Sequence, residues 1–194
     1  MKILLVSEVV PGGSGELVLK NLIKAGTDTE FINVSGFFKI SFLNRVINKF
    51  FKTPHYFGPG LKKLNNLINT KVKSGNFNVV LFMKPIYVFP KTALEIKKYA
   101  RAVSWYPDHV DFPKSGSADF YKSIPLFDLH LSYIRSNADA LLKYGAKKSL
   151  YLMITADPAL HHPMPVSEEE RKKFGADVVF VGTYAPERRV EYLE

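Results

Sequence analysis

Two short stretches of this 194-residue chain hold side chains that could perform acid–base chemistry. Asp108 and His109 follow the stretch VSWYP, and either one could act as a general base that takes a proton from a hydroxyl nucleophile. Lys84, at the end of VVLFMK, is a candidate substrate-binding residue, and the rings of Trp105 and Tyr106 could stack on a sugar. The alternative is structural: Asp108 caps the turn after the preceding proline, and both aromatic rings lie in the core.

A glycine-rich turn, PGGSGE at residues 11–16, follows the first apolar run and precedes a helical pattern. Backbone N–H groups at such a turn can hold an anion, so Gly13, Ser14 and Gly15 are candidate substrate-binding residues. The dinucleotide fingerprint fails, however, because Val18 occupies the position of its third glycine and TEFINVS lacks the acidic residue expected at the end of the second strand. The alternative is a glycine turn that only lets the chain reverse its direction.

The elements that must position these residues alternate along the chain. Apolar runs at residues 2–10, 29–35, 78–84, 102–108, 129–133 and 148–154 are separated by helical patterns and polar loops. This alternation predicts an α/β fold with a Rossmann-like parallel sheet and helices on both faces. Lys84 and the WYPD stretch then fall at the carboxyl ends of strands, where open α/β sheets bind their ligands.

Composition excludes several classes of site. The chain has no cysteine, so it has no disulfide framework, no thiolate zinc site and no cysteine nucleophile, which favours a cytoplasmic location. The adjacent His161 and His162 have no third ligand at metal-binding spacing, so we expect no metal. No apolar run approaches the length that spans a bilayer.

The net charge of +9 is unevenly distributed. Residues 31–94 contain no Asp or Glu and ten basic residues, whereas the remaining 17 basic and 18 acidic residues nearly cancel. One region therefore carries the whole excess, which suggests an anionic partner: a membrane surface, a phosphorylated substrate or nucleic acid. Nucleic acid ranks lowest, because no recognised binding motif accompanies the charge.

Within this basic region, residues 41–52 (SFLNRVINKFFK) form an amphipathic helical pattern whose polar half is free of acidic residues. Such a helix is typical of membrane interfaces, and Arg45, Lys49, Phe50 and Lys52 are candidate membrane or anion contacts. The same pattern also describes a helix that packs its apolar side on its own domain. A membrane- or polyanion-binding module without catalysis is therefore one functional hypothesis, with attachment to the inner face of the membrane.

The predicted organisation of the chain changes near its C-terminus. Residues 1–160 are expected to form the Rossmann-like domain, and residues 161–176 a proline-containing linker with a short helix capped by Ser167 and Glu170. The apolar pattern of residues 177–183 predicts a further strand, and we interpret residues 177–194 as the stub of a second domain.

Several separated stretches carry a family resemblance: FMKPIYVFPKTALEIKK, VSWYPDH, IPLFDLHLSYIRSNADALLKYGAKKSLYLMITADPALHHP and DVVFVGTYAPER. In order and spacing they resemble the CgeB-like glycosyltransferases, which have the two-domain GT-B architecture. The resemblance runs from about residue 77 to the end and is strongest over the last 70 residues.

The resemblance implies a Rossmann-like half that holds a hydroxyl acceptor and a second half that grips most of a nucleotide-sugar donor, which is a co-substrate; no cofactor is expected. It places Gly182, Thr183 and Arg188 beside the donor and makes Asp108 the family's acidic residue. After Asp108, however, His109 and Val110 stand where the family is expected to have an Asp-Pro pair, which leaves the assignment of the base open. On this hypothesis the chain is the acceptor half plus a stub and does not turn over alone.

Overall fold

The structure, a computed structural model, describes residues 1–37, 40–153, 157–159 and 161–179. Its centre is a six-stranded, all-parallel sheet in the order β2-β1-β3-β4-β5-β6. The strands are β1 (Lys2–Ser7), β2 (Asp28–Asn33), β3 (Val79–Met83), β4 (Arg101–Trp105), β5 (Leu129–Ser132) and β6 (Ser149–Tyr151). The predicted α/β class with a parallel sheet is confirmed.

Seven α-helices accompany the strands in the described part of the chain. They are α1 (Ser14–Lys24), α2 (Phe42–Ile47), α3 (Pro59–Gly75), α4 (Pro90–Ile96), α5 (Ala118–Ser123), α6 (Arg135–Lys143) and α7 (Glu168–Phe174). Short 3₁₀ turns at Pro113–Ser115 and Ile124–Leu126 flank α5.

Both faces of the sheet are covered, which explains why its inner strands are apolar at nearly every position. Side chains of β1 alternate between the two faces. Leu4 and Val6 pack in one cluster with side chains of α3 and α4, whereas Ile3 and Leu5 pack in another with Leu19 of α1. A third cluster joins α5 and α6 beneath the loop that follows β4.

Helix ends follow their local signals in most cases. Gly26 and Gly145 adopt the positive φ angles of 74° and 92° that end helices, as the sequence predicts. The predicted capping box of Ser167 and Glu170 is also present. The sequence also predicts an N-cap at Ser136, which is wrong, because α6 begins at Arg135 and its N-cap residue is Ile134.

The chain divides into two compact units, Met1–Thr155 and Ala156–Glu194, and the whole sheet belongs to the first. In the second, α7 is exposed along its length. The strand predicted at 177–183 is not present over residues 177–179, and its remainder lies outside the described residues.

Candidate functional site

The candidate site lies at the carboxyl edge of the sheet. All strands are parallel, but the direction in which successive strands are added changes between β1 and β3. Strand β2 pairs on the outer side of β1, and every later strand is added on the other side. Open α/β sheets bind ligands at this reversal, beyond the carboxyl ends of the strands. The loops that follow β1, β3 and β4 supply the side chains there.

Lys84 and Asp108, predicted from separate stretches, are brought together at this edge. Lys84 Nζ lies 2.7 Å from Asp108 Oδ2, and the two side chains retain 46% and 35% of their exposure. The Lys84 amide donates to the Trp105 carbonyl at 2.9 Å, which aligns the end of β3 with the end of β4. The pair therefore presents a carboxylate that can accept a proton beside an ammonium that can hold a negatively charged oxygen.

Lys84 also has an unusual backbone conformation. Its φ angle is +50°, in the left-handed region that residues other than glycine seldom adopt, and it precedes Pro85, which disfavours helical angles in the residue before it. Residues held in such conformations are enriched at functional sites. The strain is a second reason, independent of the ion pair, to assign Lys84 to the site.

A buried amide that was not predicted from the sequence holds the loop that follows β4. Asn137 of α6 is 1% exposed; its Nδ2 donates to the carbonyl of Asp108 and its Oδ1 accepts the Val110 amide at 2.8 Å. Its Nδ2 also lies 3.1 Å from Ser132 Oγ at the end of β5. A signal was present, because Asn137 shares the inward side of α6 with Ala140 and Leu141 at helical spacing.

Hydroxyl groups fasten the remainder of this loop. Ser115 Oγ donates to the His109 carbonyl at 2.7 Å and lies 2.8 Å from the Tyr106 hydroxyl. The Tyr121 hydroxyl donates to the Val110 carbonyl at 2.7 Å, and burial raises the pKa of Tyr121 to about 12. These contacts make residues 106–115 a fixed support for Asp108.

The two aromatic candidates have different surroundings. Tyr106 has no exposed surface and stacks on Phe120 with ring centroids 4.3 Å apart; burial raises its pKa above the usual range. Its predicted role as a substrate-binding residue is therefore wrong, because no face of the ring is open to a ligand. Trp105 is half-buried and packs in the cluster that contains Leu19 of α1. His109 is exposed at the loop surface.

The glycine-rich turn after β1 has a structural explanation. A side chain at Gly15 would overlap the Glu8 carbonyl and the Ser7 hydroxyl, so glycine lets α1 pack closely on the end of β1. The Glu16 carboxylate accepts the Gly12 amide at 2.7 Å and pairs with Lys20 at 3.0 Å. The amide hydrogen bond, followed by Lys20, lowers the pKa of Glu16. A phosphate approaching Gly13, Ser14 and Gly15 would meet this negative charge.

The remaining predicted residues lie elsewhere. Arg45, Lys49, Phe50 and Lys52 lie in an exposed segment around α2. Gly182, Thr183 and Arg188 fall outside the described residues. Within the described ranges, no group of three or more His, Asp or Glu side chains could hold a metal ion.

One buried histidine was not selected from the sequence. His130 on β5 is fully buried; its Nε2 lies 2.9 Å from the Ile124 carbonyl, and its Nδ1 has no hydrogen-bond partner among the described residues. Burial lowers its pKa to about 4. It therefore stays neutral at physiological pH, as a core residue away from the ion pair.

Among the described residues, no helix has both the length and the apolar character needed to cross a bilayer. Comparison of the sequence with protein-family models and with curated proteins finds no match. The functional assignment therefore rests on the geometry of this edge and on the residues that occupy it.

Proposed function

We propose that this chain is the acceptor-side domain of a glycosyltransferase that moves a sugar from a nucleotide-sugar donor to a hydroxyl acceptor. In this proposal the Asp108 carboxylate takes the proton of the acceptor hydroxyl as that oxygen bonds to the anomeric carbon. The bond to the nucleoside diphosphate breaks, and the diphosphate leaves with the electron pair. Lys84 orients the carboxylate and stabilises negative charge nearby. A cytoplasmic location agrees with the absence of cysteine.

The observation that carries this proposal is the Lys84–Asp108 pair at the carboxyl ends of β3 and β4, next to the reversal between β1 and β3. Both side chains are partly exposed, but Asp108 Oδ2 is buried beside Lys84, so the proton acceptor in this proposal is Oδ1. The loop that bears Asp108 is held by buried hydrogen bonds from Asn137. A surface ion pair alone contributes little to stability. This pair joins a strained lysine to a carboxylate on a well-supported loop, and that placement favours a functional role. The resemblance of the WYPD stretch to the CgeB-like family adds the reaction class.

The test is a transferase assay on the longest reading frame that contains this sequence, with a panel of nucleotide sugars and release of nucleoside diphosphate as the readout. Asp108→Asn should lower kcat by about 10²- to 10⁴-fold, the usual contribution of a general base. Asp139→Asn is the matched control, because Asp139 is an exposed carboxylate on α6. Equal activity of the two variants, or no release with any donor, would contradict the proposal.

A further inference from the structure

Large apolar side chains are unusually exposed in one segment of the first unit. Phe42 and Phe50 each expose 82% of their surface and Leu43 exposes 57%, all within or just after α2. Phe51 exposes a further 48%. We refer to Phe42, Leu43, Phe50 and Phe51 as the apolar cluster. Four large apolar side chains exposed within ten residues of a folded protein indicate a surface that another body covers.

Helix α2 buries the amide of Asn44 and exposes Phe42 and Leu43, whereas Val46 and Ile47 are partly buried. Asn44 is only 2% exposed; its Nδ2 donates to the Phe57 carbonyl at 3.1 Å and its Oδ1 accepts the Phe57 amide at 3.2 Å. Asn48 Oδ1 accepts the His55 amide at 2.8 Å. The amide side chains therefore tether α2 to its own domain. The alternative of a helix that packs its whole apolar side inward is not what the structure shows.

Three exposed cations lie in the same stretch of sequence as the apolar cluster. Arg45, Lys49 and Lys52 are exposed, and none of the three forms an ion pair with any carboxylate that the structure describes. Residues 31–94 contain no acidic residue that could neutralise them. An occupant of this surface must therefore accept apolar side chains and supply negative charge.

The segment lies on the edge of the sheet that carries the candidate site. It follows the carboxyl end of β2, and its Pro54 carbonyl accepts the amide of Ala118, the first residue of α5, at 2.8 Å. The chain between α2 and α3 is thus fastened to the loop region that supports Asp108. A surface bound by the apolar cluster would lie at the same edge as the site.

We propose that the apolar cluster and its flanking cations attach this protein to an anionic phospholipid surface. Phe and Leu side chains enter the acyl–headgroup boundary, while Arg45, Lys49 and Lys52 remain among the anionic headgroups. Leu43 has no aromatic face for base stacking, so a lipid surface fits the cluster better than single-stranded nucleic acid does. The proposal does not depend on the transferase activity.

Vesicle flotation with the full chain tests the attachment. The protein should float with phosphatidylcholine vesicles that contain phosphatidylserine, weakly with pure phosphatidylcholine, and less in high salt, which screens the cations. The double variant Phe42→Ser/Phe50→Ser should lower partitioning by at least about tenfold. Lys49→Glu should weaken binding to the anionic vesicles. Because all three side chains are exposed, circular dichroism should show unchanged folding.

Two control variants match these changes. Phe174→Ser removes a phenylalanine that is 71% exposed on α7, and Lys143→Glu reverses an exposed cation on α6. Both should bind vesicles like the wild type. An effect as large as that of the cluster variants would overturn the proposal, as would failure of the wild type to float.

A second measurement reports the depth of the cluster. Trp105 is the single tryptophan of the chain, so Phe50→Trp in a Trp105→Phe background places one fluorophore in the cluster. Its emission should shift to the blue on addition of anionic vesicles. Binding of single-stranded RNA that competes with the vesicles, without a blue shift on the vesicles, would instead indicate a polyanion site and overturn attachment to lipid.

Discussion

Lys84 combines a strained backbone with a partly exposed ion pair, and these two features have opposite effects on stability. A left-handed conformation costs a residue other than glycine about 1–2 kcal/mol, whereas an exposed ion pair contributes about 0.2–1 kcal/mol. If only the stability of the fold mattered, glycine would be the more favourable residue at position 84. We therefore interpret Lys84 as a functional residue, whose ammonium stabilises negative charge at the edge of the sheet.

Lys84→Gly should separate stability from function. We expect the free energy of unfolding in urea to stay unchanged or to rise by about 1 kcal/mol, because glycine adopts the positive φ angle without strain. Transferase activity should fall in the same variant. Asn76→Gly, at the other positive-φ residue that is not glycine in the described chain, is the control and should leave activity intact. A clear loss of stability in Lys84→Gly would assign the ion pair a structural role.

His130 should make stability depend on pH in the acidic range. Its pKa falls from an ordinary value of 6.5 to about 4 in the folded protein. Between these two pH values the unfolded chain binds a proton at this histidine that the folded chain does not bind. The free energy of unfolding should therefore decrease as the pH falls from about 6.5 towards 4, by on the order of 3 kcal/mol from this group.

Urea unfolding at several pH values checks this contribution. Several carboxylates with lowered pKa values, such as Glu30, also lose stabilising contacts in acid, so the wild type alone does not isolate the histidine. His130→Gln replaces the ring with an amide that can donate to the Ile124 carbonyl. The variant should show a shallower dependence between pH 6.5 and 4, and an unchanged slope would exclude His130 as its source.

At the scale of elements, α6 positions the loop after β4 through one side chain. Asn137 donates to and accepts from backbone groups on that loop and lies close to Ser132 on β5. Truncating it leaves the Asp108 carbonyl and the Val110 amide without their amide partner in a buried place. The helix therefore serves the site as well as the core.

Asn137→Ala should lower the free energy of unfolding by about 1–3 kcal/mol, the cost of buried polar groups left without partners. Denaturant titration measures this change, and Asp139→Ala on the exposed side of the same helix is the control. The transferase assay should show a fall in kcat with Asn137→Ala, because Asp108 loses its support. Full activity despite the lost stability would show that the loop does not need this tether.

The whole molecule consists of two compact units, and the hydrophobic clusters lie in the first. Burial of apolar surface is the main favourable term in folding, so we expect the unit Met1–Thr155 to fold alone. The charge excess of residues 31–94 belongs to this unit as well.

A chain that ends at residue 155 should unfold cooperatively, with a thermal midpoint within about 3 °C of the full chain, since a change of 1 kcal/mol moves the midpoint by only a few degrees. Circular dichroism melts of the two chains make the comparison. A shortened chain that fails to fold would show that residues 156–194 complete the core.

Sequence patterns determined the class of this fold because both of its signals are local. Near-continuous apolar runs such as KILLVS are required where helices cover both faces of a sheet, and alternation with helical patterns implies parallel strands. The position of Lys84 and Asp108 at one edge of the sheet could be predicted for the same reason, because each follows a strand and parallel strands end at one edge.

Tertiary structure alone decided how individual side chains are used, because burial and pairing depend on residues distant in sequence. The pattern at residues 41–52 has an apolar half, yet Asn44 faces the domain because Phe57 offers both backbone groups to its amide. Tyr106 is adjacent to Trp105 but is buried by Phe120, and Asn137 meets Asp108 across 29 residues of sequence. Periodicity specifies which residues can form an element, whereas packing selects which side of that element meets the core.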